Sequence, residues 1–157
     1  MRTFLKILGW LTAVIAFVIA AIVLIPVLKR YSPTVTTPSP IRQDVSAELD
    51  WQNTEIFVPA GSTLIIEQRS GMWSECEPYG CPYKDANGNP ESSPNQGNNY
   101  MQGCLHASLI GRISTTWFCV GSSLESQIEE SGYLSLRIND SFLEDNEGTI
   151  VVDIFVK

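Results

Sequence analysis

Histidine is nearly absent from this chain, with His106 the single example in 157 residues. A Ser/His/Asp hydrolase needs a histidine to carry a proton to and from its nucleophile, and in one large class the serine sits on a G-x-S-x-G turn. No such turn occurs, and His106, near the start of a strand pattern, reads as a packing or surface residue. Basic residues are scarce as well, ten Lys and Arg against seventeen Asp and Glu. Arg2, Lys6, Lys29 and Arg30 use up four of the ten, and every acidic residue lies beyond them. The portion after Arg30 therefore holds six basic and seventeen acidic residues, a formal net charge of −11. It repels phosphate backbones, and it has no basic cluster interleaved with aromatics, which excludes nucleic-acid binding. A glycosidase would need two carboxylates facing each other across a cleft, and nothing in the spacing singles out such a pair. The sequence reads as non-catalytic.

Charge is also missing between Lys6 and Lys29, where the run from Ile7 to Leu28 is uncharged. Its length of about 22 residues suffices, at about 1.5 Å per residue, to cross a hydrocarbon core of about 30 Å. A cleaved signal peptide is the competing reading, with Val18-Ile19-Ala20 as its small-x-small site. The apolar run continues past that point to Leu28, which favours a transmembrane anchor over residues 1–30. Basic residues flank the run on both sides, so the positive-inside count nearly cancels. Cysteine usage decides the orientation. Cys76, Cys81, Cys104 and Cys119 all lie after the anchor, an even number suited to two disulfides in an oxidising compartment. The N-terminus is thus expected in the cytoplasm and the C-terminal domain in the periplasm or outside the cell. Of the three possible pairings, Cys76 with Cys81 and Cys104 with Cys119 is preferred. A four-thiolate zinc site wants tighter paired spacings.

Residues 31–44, with Pro33, Pro38 and Pro40 among threonines, read as an extended spacer. From Val45 to Lys157 helical periodicity is missing, and short alternating segments point to an all-β domain. Thr54–Val58 and Thr63–Glu67 flank the turn Pro59-Ala60-Gly61-Ser62 and read as a hairpin; Leu105–Ile113 and Thr116–Val120 read as a second pair. Tyr133–Ile138 and Ile150–Val156 alternate as half-buried strands do, and the whole favours a jelly-roll β-sandwich over a barrel. The segment Ser70–Gly103, rich in Gly, Pro, Asn and Ser, reads as one long loop of the kind that carries function. Trp73, Tyr79, Tyr83 and Tyr100 could line a binding face there or simply pack the loop.

The stretch Asn139-Asp140-Ser141-Phe142-Leu143-Glu144-Asp145-Asn146-Glu147-Gly148 gathers carboxylates and amides between two strand patterns. Ca²⁺ takes six to eight oxygen ligands, and a loop pinned by strands at both ends can converge several of them. An acidic hairpin turn is the alternative reading, because Asp, Asn and Gly favour turns for backbone reasons alone.

A set of short motifs carries a family resemblance. Trp51, Thr54, Ile56, Val58 and Gly61 are followed in order by Gly71-x-Trp73, Pro94-Asn95-Gln96-Gly97 and Leu109-Ile110-Gly111-Arg112-Ile113. Phe118-x-Val120-Gly121 and Gly132-x-Leu134-x-Leu136-x-Ile138-Asn139-Asp140 complete it. Over Trp51–Val156 this resembles the PA-IL-like galactophilic calcium lectins. The resemblance implies a jelly-roll sandwich with one Ca²⁺ at its end loops and a sugar that gives two ring hydroxyls to the metal. It further implies Asp140, Asp145 and Asn146 as side-chain ligands, Asp145 standing where the family has asparagine, with backbone carbonyls near Cys76 and Leu143. Gln96 matches a hydroxyl-binding glutamine, while Ser93 stands where the family has a histidine, so galactose specificity is not implied. The loop after Asp140 is about two residues shorter than in the galactose-binding members. Asp140 and Asn146 would then contact sugar together with Gln96 and Ser93.

Two functions follow from these readings. One is a membrane-anchored module that holds a glycan through calcium. The other reuses the lectin-like fold as an accessory docking subunit of a larger membrane complex, such as a respiratory or photosynthetic one. A glycan-active enzyme ranks third.

Overall fold

A computed structural model describes residues 39–157. The apolar run Ile7–Leu28 and residues 31–38 of the spacer lie outside the described residues. Among the described residues no helix is long and apolar enough to cross a membrane.

Eight strands follow one another: β1 Ile41–Ser46, β2 Gln52–Val58, β3 Thr63–Ser74, β4 Leu109–Ile113, β5 Thr116–Cys119, β6 Ser123–Gln127, β7 Gly132–Ile138 and β8 Glu147–Val156. They make two four-stranded antiparallel sheets, ordered β1-β8-β3-β6 and β2-β7-β4-β5. This is the all-β sandwich that the strand patterns imply, and it is consistent with a jelly roll.

The period-2 patterns decide which face each sheet buries. In the first sheet Ile66 pairs with Ile154 and Val45 with Ile150. In the second Leu134 pairs with Ile113 and Ile138 with Leu109. These rows face one another, and all are buried. Each such side chain contributes about 1.5–3 kcal/mol relative to exposure. Gly111 makes room for the inward ring of Phe118, since a Cβ there would sit 2.5 Å from it.

Pro59–Ser62 reverses the chain as expected, but β2 and β3 do not pair. They belong to different sheets, because Ile56 and Val58 face the core from one side and Leu64 and Ile66 from the other. The β4–β5 hairpin forms as read. Strands β1 and β6, which the alternation does not announce, are the two edges of the first sheet. Edge strands are commonly polar, which guards them against pairing with other chains. β1 begins at Ile41, inside the stretch read as spacer.

The long segment read as loop from Ser70 starts as strand. β3 continues through Ser74 opposite β8, with a register shift between Gln68 and Ser70. Gly71, at φ +88°, is required there, since a Cβ would come within 2.1 Å of the Thr149 carbonyl oxygen. Trp73 does not join a binding face. It is fully buried, and its Nε1 donates to the Ala107 carbonyl at 2.8 Å, which pins the loop to the core. The disulfides are Cys76–Cys81 and Cys104–Cys119, with no free cysteine among the described residues, so no thiolate remains there for zinc.

Candidate functional site

The acidic loop joins β7 to β8 at one end of the sandwich, and buried polar groups anchor it from both sides. Asn139, the first residue after β7, is fully buried. Its Nδ2 donates to the carbonyls of Met101, Cys104 and Leu105, and its Oδ1 accepts from the Met101 N–H at 2.7 Å. The side chain therefore sews the 101–105 loop to the start of the site. Arg137 reaches the same point from β7: its Nη2 donates to the Asp140 carbonyl at 2.6 Å and its Nε to that of Ile138 at 3.0 Å. Ser141 closes the third side, with its N–H and Oγ both donating to the Asn98 carbonyl.

Inside this frame Asp140 is buried, and its Oδ1 accepts the Phe142 N–H at 3.0 Å. Burial pushes its carboxyl above the usual carboxylate range, and the neighbouring Asp145 adds to the push against the opposing Phe142 N–H and His106. Asn146 is buried too, its Nδ2 donating to the Ala47 carbonyl at 3.1 Å, which fixes the direction of its Oδ1. That Oδ1 and Asp145 Oδ1 are the buried side-chain oxygens without a hydrogen-bond partner among the described residues. Native proteins leave few such groups unmatched, and an ion is one of the standard explanations. The donor set, two carboxylates, one amide oxygen and loop carbonyls, is all oxygen and suits Ca²⁺. No group of three or more His, Cys, Asp or Glu placed to hold a metal occurs among the described residues, so a cation here would need the amide and the carbonyls. Of the two carbonyls read as ligands, Leu143 O accepts the Asn146 N–H at 3.3 Å. Cys76 O already accepts the N–H groups of Tyr79 and Cys81 at 3.0 and 3.3 Å. Cys76 nonetheless lies beside the loop, because the Glu77 N–H donates to the Asp145 carbonyl at 2.9 Å.

Gln96 is linked to this loop through Asn98. Gln96 Nε2 donates to Asn98 Oδ1 at 2.7 Å, and Asn98 Nδ2 lies 3.0 Å from His106 Nε2. His106 Nδ1 in turn faces Asn99 Oδ1 at 3.1 Å, while Asn99 Nδ2 is spent on the Pro94 and Cys104 carbonyls. His106 is thus a buried positioning group behind the loop. Ser93 is exposed; its Oγ accepts the Asn95 N–H and its carbonyl the Gln96 N–H, so it shapes the turn that presents Gln96.

Nothing local in the sequence marks Arg137, Asn98 or Asn99, and Asn139 stands out there only as the first member of the acidic stretch. Their role depends on partners far along the chain, and only the alternation of β7, which turns Arg137 outward, hinted at it. Arg137 also stacks on Tyr100, its Cζ 3.7 Å from the ring centroid, and Tyr100 stacks on Trp117 at 5.4 Å. Trp51 meets both rings edge-on or tilted, at 5.9 and 5.5 Å. An aromatic cluster thereby flanks the acidic loop.

No family model and no curated protein sequence matches the chain. Among solved structures it is similar to one described as the EclA N-terminal domain, a PllA-like lectin, with 20% sequence identity and a TM-score of 0.53. The match covers 77% of this chain and all of that one. At this identity the likeness shows the fold: the described domain is a lectin-like β-sandwich.

Proposed function

We propose that the chain is a non-catalytic, membrane-anchored module whose domain, placed outside the cytoplasm, binds a glycan with the help of Ca²⁺. One observation carries the reading. The partnerless buried oxygens of Asp145 and Asn146 lie in the same end loop as buried Asp140, on a sandwich of lectin-like fold. Asp140, Asp145 and Asn146 would hold the ion, with loop carbonyls such as that of Leu143 completing its shell. When bound, Ca²⁺ supplies positive charge and open coordination positions that suit vicinal sugar hydroxyls. The chain does the rest. Arg137 and Asn139 hold the loop closed, Asn146 keeps its oxygen aimed by bonding Ala47, and the turn at Ser93 presents Gln96 for a sugar hydroxyl.

The accessory-subunit reading draws support from Phe57 and Tyr133, an edge-to-face pair with rings 5.5 Å apart that leaves both side chains more than half exposed. Two experiments separate the readings. A ligand that binds only the folded state stabilises it by RT ln(1 + [L]/Kd), about 2.7 kcal/mol at a hundredfold excess over Kd. Calcium should therefore raise the melting temperature, EDTA should reverse the rise, and Asp145→Ala should abolish it. A glycan array probed with calcium should give signals that Asp140→Ala removes. Melting indifferent to calcium would overturn the metal reading, and an array blank in calcium would favour the docking subunit.

A further inference from the structure

A second polar site lies on the outer face of the β2-β7-β4-β5 sheet. Across that face Asn53, Ser135, Arg112 and Trp117 stand in one cross-strand row, since Asn53 pairs with Ser135, Ser135 with Arg112 and Arg112 with Trp117. Neighbouring strands lie about 4.8 Å apart, so the row is about 14 Å long. Asp140 follows Ser135 by five residues, which at about 3.4 Å each puts the acidic loop about 17 Å along the strand direction. The two places are distinct, and the row ends on Trp117, a member of the aromatic cluster.

Arg112 is the unusual member. Arg42 and Arg69 pair with Asp153, Lys84 with Glu75 and Arg137 with Asp50, yet Arg112 has no carboxylate partner among the described residues. Its guanidinium lies over the Trp51 ring, 4.6 Å from the centroid. Stacking of this kind holds the plane in place and leaves the N–H edge free for a planar, doubly accepting group such as a carboxylate. Beside it runs a groove of about 500 Å³ lined by Ser131, Tyr133 and Ser135 with Arg112 at one wall. Ser131 Oγ accepts the Ala60 N–H and keeps its own hydrogen to give, while Ser135, a buried residue, lines the groove beside it. Hydroxyls in a row, a flat ring and one unpaired guanidinium match a polyol that bears a carboxylate. A densely charged polyanion would meet the field of a domain with net charge −11. A sugar with one carboxylate per ring meets far less repulsion.

We infer that this groove is a calcium-independent subsite for an acidic sugar, with Arg112 receiving the carboxylate and Ser131, Tyr133 and Ser135 the hydroxyls. The inference rests on the glycan reading for its ligand class, but its location and charge requirement are its own. The test titrates the full chain in detergent micelles with trigalacturonate, with its methyl ester and with a neutral galactose trisaccharide, each in EDTA and in calcium. Trigalacturonate should bind in EDTA, and Arg112→Gln or esterification should each weaken it about tenfold or more. Ser135→Ala should weaken it less, and Arg112→Gln should leave calcium-supported binding of the neutral sugar intact. Should Arg112→Gln fail to fold, the ester comparison and Ser135→Ala decide. Equal binding of acid and ester overturns the inference. So does neutral-sugar binding in calcium with no uronate binding in EDTA, which leaves the calcium reading standing. Absence of every sugar in both conditions overturns both.

Discussion

Replacing Arg137 by Met tests how the end loop is held. The methionine stem keeps most of the packing of the arginine methylenes and removes the guanidinium. Two hydrogen bonds to carbonyls go with it, from Nη2 to Asp140 and from Nε to Ile138, and bonds from a charged donor are worth about 1.5–3 kcal/mol each. Stacking on Tyr100 adds about 1–2 kcal/mol in a desolvated setting. The ion pair with Asp50 adds little, about 0–1 kcal/mol, because the Asp50 side chain is 69% exposed. Against these stands the cost of desolvating a guanidinium whose side chain is only 2% exposed, several kcal/mol, which the mutation returns. The net expectation is a loss of about 2–4 kcal/mol. With a urea m-value of about 2 kcal/mol per molar, the unfolding midpoint of the domain from residue 39 onward should fall by roughly 1–2 M with m unchanged. Asp50→Asn, the matched control, should cost under about 1 kcal/mol, since it leaves both carbonyl bonds in place. A loss below about 1 kcal/mol for Arg137→Met would refute the reasoning, because burial would then cancel the bonds. Equal losses for the two variants would refute it differently, by placing the energy in the ion pair.

The Cys104–Cys119 bridge spans 15 residues and the Cys76–Cys81 bridge 5. Paired serine replacements should therefore cost about 3 and about 2 kcal/mol respectively on the chain-entropy account. Non-reducing mass spectrometry should find no alkylatable thiol; free thiols in native protein would reverse both the pairing and the expected compartment. Asp153 gives a pH prediction. Burial works against its charge, but the bonds from Arg42 and Arg69 prevail and hold its carboxyl below the usual range. A lowered folded value contributes stability that is present above the unfolded value of about 3.9 and is lost as pH falls through the folded one. The advantage of the native protein over Asp153→Asn should thus be seen at pH 6 and shrink as pH drops below about 4. An advantage that persists unchanged at pH 2 would exclude the charge as its cause.

Alternation alone was enough to place β7 and β8 and to assign their buried faces, because Leu134, Leu136 and Ile138, like Ile150, Val152 and Ile154, follow the geometric period of a strand. The acidic loop stood out for the same local reason, the chemistry of adjacent residues, whereas Gln96 stood out only through the family resemblance. Local signals failed where pairing is decided by distant partners. The turn at Pro59–Ser62 looks the same whether its flanks pair or separate into two sheets, and only the shared core separates them. The edge strands β1 and β6 carry little apolar pattern because they contribute few side chains to the core, chiefly Val45 and Leu124. Arg137, Asn139 and the unpaired Arg112 acquire their meaning from residues that the fold brings beside them. Composition and local pattern determined an acidic β-domain with an even set of cysteines and an oxygen-rich loop; tertiary structure decided which of those oxygens are left without partners and which guanidinium among the described residues is left without a carboxylate.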